Sequence, residues 1–174
     1  VGPNWRQMWQ QRLDHCAFPL ENWIRHEARD AYWRSGSACE TSEMISCPIL
    51  LIGGWVDRYS NTVMNLLSRN ESPCWGIVGP WGHHYPDRGI PGPGIDFQAE
   101  ALRWWDRWLC GRQNGLESEP KLRVWRQEYI SPQNKILERP GSWISENQWP
   151  SPNVTPRTYL LGSGSLSETA KVDN

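Results

Sequence analysis

Two residues of this chain have the types and the placement that acid–base chemistry needs. Asp57 lies in GGWVDRYSN (Gly53 to Asn61), and His83 lies in VGPWGHHYPD (Val78 to Asp87). Each follows a short apolar run that ends on glycine. If those runs are neighbouring strands, an acid and a histidine at their ends come within hydrogen-bonding reach. The carboxylate would hold the imidazole in one tautomer and stabilise its cation. The imidazole would then take a proton from a nucleophile. Blander roles compete with this one. Asp57 could pair with Arg58 or cap the helix that follows, and a histidine after a strand is usually structural. His83-His84 could also be a metal pair. Adjacent histidines point to opposite sides of an extended chain, however, and no third ligand stands at helical spacing, so no metal site is expected. His15 and His26 fall in helical runs and read as surface or boundary residues.

The same search finds no nucleophile. G-x-S-x-G occurs nowhere in the 174 residues. The Ser/Gly mixture Gly162 to Ser165 does not match it. Cys74 precedes a strand without an adjacent base. An acid and a base are two parts of a three-part device.

The elements that must position Asp57 and His83 are legible from periodicity. Pro48 to Ile52, ending at Gly53-Gly54, is a continuous apolar run of the kind found in buried parallel strands. Ser60 to Ser68 has helical spacing, with Ser60 as its expected cap. Trp75 to Val78 is a second apolar run, ended by Gly79-Pro80. After a Gly/Pro loop over 82–95, Asp96 caps an amphipathic helix from Phe97 to Leu109, with Gly111 as its stop. Strand, helix, strand, loop, helix is the alternation of a parallel sheet covered by helices, and such sheets collect their ligands at the strands' carboxyl ends.

Upstream, residues 4–34 read as helices separated at Pro19, with Trp23, Ile24, Glu27, Ala28, Ala31 and Tyr32 in one run. Residues 35–46 read as a loop. Downstream of about residue 117 the pattern changes. Leu122-Arg123-Val124-Trp125 alternates, Arg157 to Leu161 is strand-like, and Gly162 to Ser165 is turn-like. This tail reads as the start of an all-β domain, too short for a complete sandwich.

Composition narrows the classes. Lys plus Arg is 18 and Asp plus Glu is 19, which does not suit a basic nucleic-acid binder. No run of about 18 apolar residues could span a bilayer. The five cysteines include no C-x-x-C pair, and an odd number argues against a complete disulfide framework. They read as small buried hydrophobes in a reducing compartment, which favours a cytoplasmic location. There are 13 tryptophans. Trp104 and Trp108 stand one turn apart and are expected to pack on the sheet, with Trp105 turned toward the β tail.

The runs GGWVDRYSN, VGPWGHHYPD and IDFQAEALRWWDRWLCG (Ile95 to Gly111), with Asp30-Ala31-Tyr32-Trp33 before them and PKLRVWRQE (Pro120 to Glu128) after them, resemble the cocaine esterase / X-Pro dipeptidyl-peptidase family of α/β-hydrolases. The resemblance extends from about residue 20 to residue 161. It implies that Asp57 is the triad acid and His83 the triad base, with the serine and the oxyanion hole upstream of Val1. Tyr59 matches an aromatic position of the acyl pocket in some members. Trp81, beside His83, would wall the site or buttress its loop.

The implied organisation is the tail of a helical cap (1–46), the C-terminal part of an α/β-hydrolase parallel sheet (47–117) and the truncated start of a jelly roll (118–174). The implied function is a serine hydrolase of esters or amides, represented by a fragment expected to be inactive alone. A non-catalytic binding module using the β domain, or an acyltransferase with the same triad, are the alternatives. The partner implied is a small ester, amide or short-peptide substrate. No cofactor, nucleic acid or membrane is called for, and oligomeric state is open.

Overall fold

The computed structural model describes residues 2–41 and 44–168. Val1, the loop residues Ser42 and Glu43 and the tail 169–174 lie outside them, so those parts of the expected cap, loop and β tail do too. Contacts divide the chain into two units, Val1–Thr41 and Ser42–Asn174.

The first unit holds α1 (Trp5–His15), α2 (Pro19–Arg25) and α3 (Ala31–Arg34). Pro19 opens α2, where its missing N–H costs nothing. The single run expected from Trp23 to Tyr32 is broken, and the cause is local. The Asp30 carboxylate accepts from the Tyr32 amide and so starts a new helix. Its other oxygen meets His26 Nδ1 at 2.5 Å, and the His26 ring stacks on Tyr32. His26 is thus a partnered boundary residue. His15 sits at the end of α1, its Nδ1 2.8 Å from the Gln11 carbonyl.

The second unit is built on a four-stranded sheet: β1 (Ile49–Gly54), β2 (Cys74–Gly79), β3 (Leu122–Gln127) and β4 (Gly141–Glu146), in that order. β1, β2 and β3 run parallel and β4 pairs antiparallel to β3. The mixed α/β class expected from the alternation is present. The sheet does not end where the sequence pattern changes, however. Gly76 to Val78 pair directly with Leu122 to Val124, so the hydrogen-bond ladder continues across the change of pattern near residue 118. Beyond β4, β5 (Leu160–Gly162) and β6 (Ser165–Ser167) form a separate hairpin. Gly164 adopts a positive φ there, as the expected turn requires.

Successive residues of β2 serve opposite faces. Cys74 and Val78 join Val63 and Leu67 of α4 (Ser60–Arg69), with Leu122 and Val124. Trp75 joins Trp104 of α5 (Phe97–Trp108) and Leu116, with Trp108 against them. Gly76 lets α4 lie close, because a Cβ there would stand 2.6 Å from Leu67 Cδ1. The Asp96 side chain caps α5 as expected, accepting from the Ala99 amide. Ser60 is instead the first residue of α4, and its side chain makes no cap bond.

Trp105, expected toward the β tail, is half-exposed and lines the open cleft that α5 forms with β1. The expectation for the cysteines is corrected. Of the five cysteines, all free, only Cys74 is buried, while Cys16, Cys39, Cys47 and Cys110 are exposed. Among the described residues no helix is long and apolar enough to cross a membrane.

Candidate active site

The loops after β1 and β2 continue the strands' hydrogen bonding past their ends. The Trp55 amide donates to the Gly79 carbonyl at 2.9 Å and the Val56 amide to the Trp81 carbonyl at 3.2 Å. The chain then turns, with the Asp57 amide donating back to the Gly54 carbonyl. These bonds bring the two sequence-derived candidates together. His83 Nδ1 lies 2.8 Å from Asp57 Oδ2, and Asp57 Oδ1 accepts the Tyr59 amide at 3.0 Å. One carboxylate oxygen therefore fixes the turn while the other faces the imidazole.

Asp57's side chain is 14% exposed and His83's is 82% exposed. The acid is set back in the turn, and the imidazole projects from it. Among the described residues His83 makes no other side-chain hydrogen bond, so Nε2 is left to the open side. The Tyr59 amide, and then the bond to His83, hold the Asp57 carboxyl below the usual carboxylate range. A carboxylate that stays ionised is the form that can hold an Nδ1–H tautomer.

Tyr59 is exposed, and its ring stands edge-on to His83 with centroids 6.2 Å apart. It does not line the main cleft. Trp81 is 1% exposed, and three glycines surround it. A Cβ on Gly54 or Gly79 would collide with its carbonyl or its indole, and one on Gly89 would come within 2.8 Å of its Cβ. His84 points to the cleft and its amide donates to Gly82. Among the described residues no three His, Cys, Asp or Glu side chains cluster as a metal would require.

The cleft beside the pair has a volume of about 1280 Å³. Its lining is mainly apolar, from Ile49 and Ile52 of β1 to Phe97 and Trp105 of α5, with Asp57 and His83 at one side. A broad apolar hollow with a few convergent polar groups is the usual setting for a small-molecule site.

Sequence reasoning missed the groups behind the pair. Trp55 Nε1 donates to the Trp125 carbonyl at 2.7 Å, and Trp143 packs against both Trp125 and Trp81. The only signal was a glycine one or two residues before Trp55, Trp81 and Trp143.

Comparison with known proteins now decides the relationship. Residues 3–85 match the X-Pro dipeptidyl-peptidase (S15 family). Residues 114–174 match the X-Pro dipeptidyl-peptidase C-terminal non-catalytic domain. The chain belongs to the cocaine esterase / X-Pro dipeptidyl-peptidase family. It is 23% identical over 162 residues to the cocaine esterase of Rhodococcus sp., covering 87% of this chain and 26% of that protein. It is 27% identical over 167 residues to a Mycobacterium bovis protein assigned as a serine esterase, covering 91% of this chain and 24% of the relative. In fold it is similar to a CocE/NonD family hydrolase from Staphylococcus aureus. That match has a TM-score of 0.63 at 15% identity and covers 88% of this chain and 26% of the other. The family is thus one of serine esterases and peptidases, and this chain spans about a quarter of the length of those relatives.

Proposed function

We propose that this chain supplies the acid and the base of a Ser-Asp-His hydrolase acting on an ester or amide. The observation that carries the reading is the 2.8 Å contact of His83 Nδ1 with Asp57 at adjacent strand ends, with the rest of the imidazole exposed. Asp57 keeps His83 in the tautomer whose Nε2 is a base. Nε2 takes the proton of a serine hydroxyl as the serine attacks the carbonyl, then gives it to the leaving alcohol or amine. Water repeats the cycle on the acyl-enzyme, with Asp57 stabilising the imidazolium in both halves. Tyr59 and the apolar cleft, including Trp105, would flank the acyl group.

The serine comes from outside these 174 residues, because no G-x-S-x-G is present. In this reading the chain is part of a longer enzyme. Residues 118–174 open its jelly-roll domain, in keeping with the match to the family's C-terminal non-catalytic domain.

The test uses p-nitrophenyl esters. In the full polypeptide that carries this chain with its serine, Asp57→Asn or His83→Ala should lower kcat by roughly 10⁴ or more. The 174-residue chain alone should show no turnover. A loss below tenfold would reject the roles of Asp57 and His83. Turnover by the chain alone that disappears in His83→Ala would reject the external serine.

A further inference from the structure

We infer that four tryptophans form a brace that sets the distance between Asp57 and His83, and that two of its members are supplied by the segment matching the non-catalytic domain. The inference rests on the acid–base reading above and concerns positioning residues only. Trp55 lies two residues before Asp57, and its Nε1–H donates to the carbonyl of Trp125 in β3 at 2.7 Å. Trp125 stands opposite Trp143 in the β3–β4 ladder, their rings edge to face with centroids 5.4 Å apart. Trp143 meets Trp81 at 6.2 Å. Trp81 lies two residues before His83, and its carbonyl accepts the Val56 amide, next to Trp55. The chain of contacts therefore closes on itself.

Each link constrains something different. The Trp55 hydrogen bond anchors the acid's turn to β3. The glycines around Trp81 let the backbone close tightly on this buried residue, so the base's loop is anchored through its packing. Trp143 is the bridge between the two. Trp125 is held independently, because its Nε1–H donates to the Arg139 carbonyl at 3.1 Å. Gly141 leaves space beside that indole, where a Cβ would stand 2.7 Å from Nε1. Aromatic pairs of this kind are rigid and directional. A misplacement of about 1 Å in a reacting group can cost about 10²-fold in rate. The segment that carries no catalytic side chain thus contributes to catalysis through geometry.

The experiment compares Trp143→Ala, Trp143→Phe and Trp55→Phe in the full polypeptide. Esterase kinetics are measured on each. The tautomer of His83 is read from the ¹⁵N shifts of its neutral imidazole. Trp143→Ala should lower kcat by about 10- to 100-fold with KM nearly unchanged, and should reduce the Nδ1–H tautomer. Trp143→Phe keeps a ring in place and should restore most of both. Trp55→Phe keeps an aromatic ring but removes the Nε1–H donor with the rest of the pyrrole ring, and should move both readouts in the same direction as Trp143→Ala. If Trp143→Ala does not fold, Trp55→Phe decides. An unchanged kcat and tautomer in Trp55→Phe, or a folded Trp143→Ala with wild-type kcat, overturns the brace. His83→Ala in parallel separates the two ideas. If it is inactive while the tryptophan variants are unaffected, only the brace fails. If it retains activity, the acid–base reading fails.

Discussion

At the scale of single residues, the environment of each cysteine decides its chemistry. Burial pushes the Cys74 thiol up to about 11, so it is protonated at neutral pH as well as hidden. Cys39 is exposed, and a hydrogen bond with the Ser37 hydroxyl, with Arg29 beside it, holds its thiol below the ordinary value. A thiol reagent at neutral pH should therefore label the other four cysteines and spare Cys74, with Cys39 reacting first. Mass spectrometry of the time course checks this. Immediate labelling of Cys74 would contradict the buried β2. The cysteines also show what a sequence hides, since residue type suggested burial for all five and only the fold separates them. Asp57 and His83 were legible for the opposite reason. Their placement side by side follows from strand-end position, which apolar runs and glycines reveal, whereas the triad roles proposed for them rest on the family resemblance. The Trp55–Trp125 bond was not legible, because it joins residues 70 apart through a side chain whose partner is a backbone carbonyl.

At the scale of elements, α5 is tied to β3 by charge as well as by apolar packing. Arg123 grips Glu100 through two hydrogen bonds of 2.8 and 2.7 Å. That grip, with the nearby Arg103, holds the Glu100 carboxyl below its ordinary range against the opposing effect of burial. The cations of α5 itself are paired too, Arg103 and Arg107 with Glu119 and Glu117. The pair is only partly buried, so Glu100→Gln should cost about 1–2 kcal/mol, less than the loss of one partner of a fully buried pair. The pH dependence has a definite sign. As pH falls below the ordinary carboxylate range, the unfolded chain binds a proton at Glu100 while the folded chain does not. The stabilisation is complete above that range and is lost as pH drops through the lower folded value. Urea melts of wild type and Glu100→Gln should converge as pH falls through that lower value. A difference that persists there would remove Glu100 as its source. Periodicity located α5 and its Asp96 cap because both are local. The break between α2 and α3 escaped it, because a side-chain pair, His26 with Asp30, overrides a continuous helical pattern.

At the scale of the whole molecule, alternation identifies a strand but says nothing about its partner. That is why β3 reads from sequence only as the first strand of a β domain, while its parallel pairing with β2 appears in the structure alone. The parallel bonds between β2 and β3 have a practical result. A chain ending at residue 117 would leave β2 with an open row of N–H and C=O groups beside an apolar face, and such edges recruit other chains. The 1–117 piece, with β2 opened on one side as well as β1 on the other, should self-associate at lower concentration than the 174-residue chain. Light scattering on the two would decide, and a stable monomeric 1–117 would show that β3 is dispensable.

The same pairing bears on how such proteins are inherited. The S15-family match stops at residue 85 and the C-terminal match starts at residue 114, so β2 and β3 fall in separately recognisable modules. Recombination that exchanged one module without the other would splice a foreign strand into the middle of the sheet and a foreign tryptophan pair behind His83. The two modules are expected to co-evolve at Trp55, Trp81, Trp125 and Trp143, as partners that must be exchanged together.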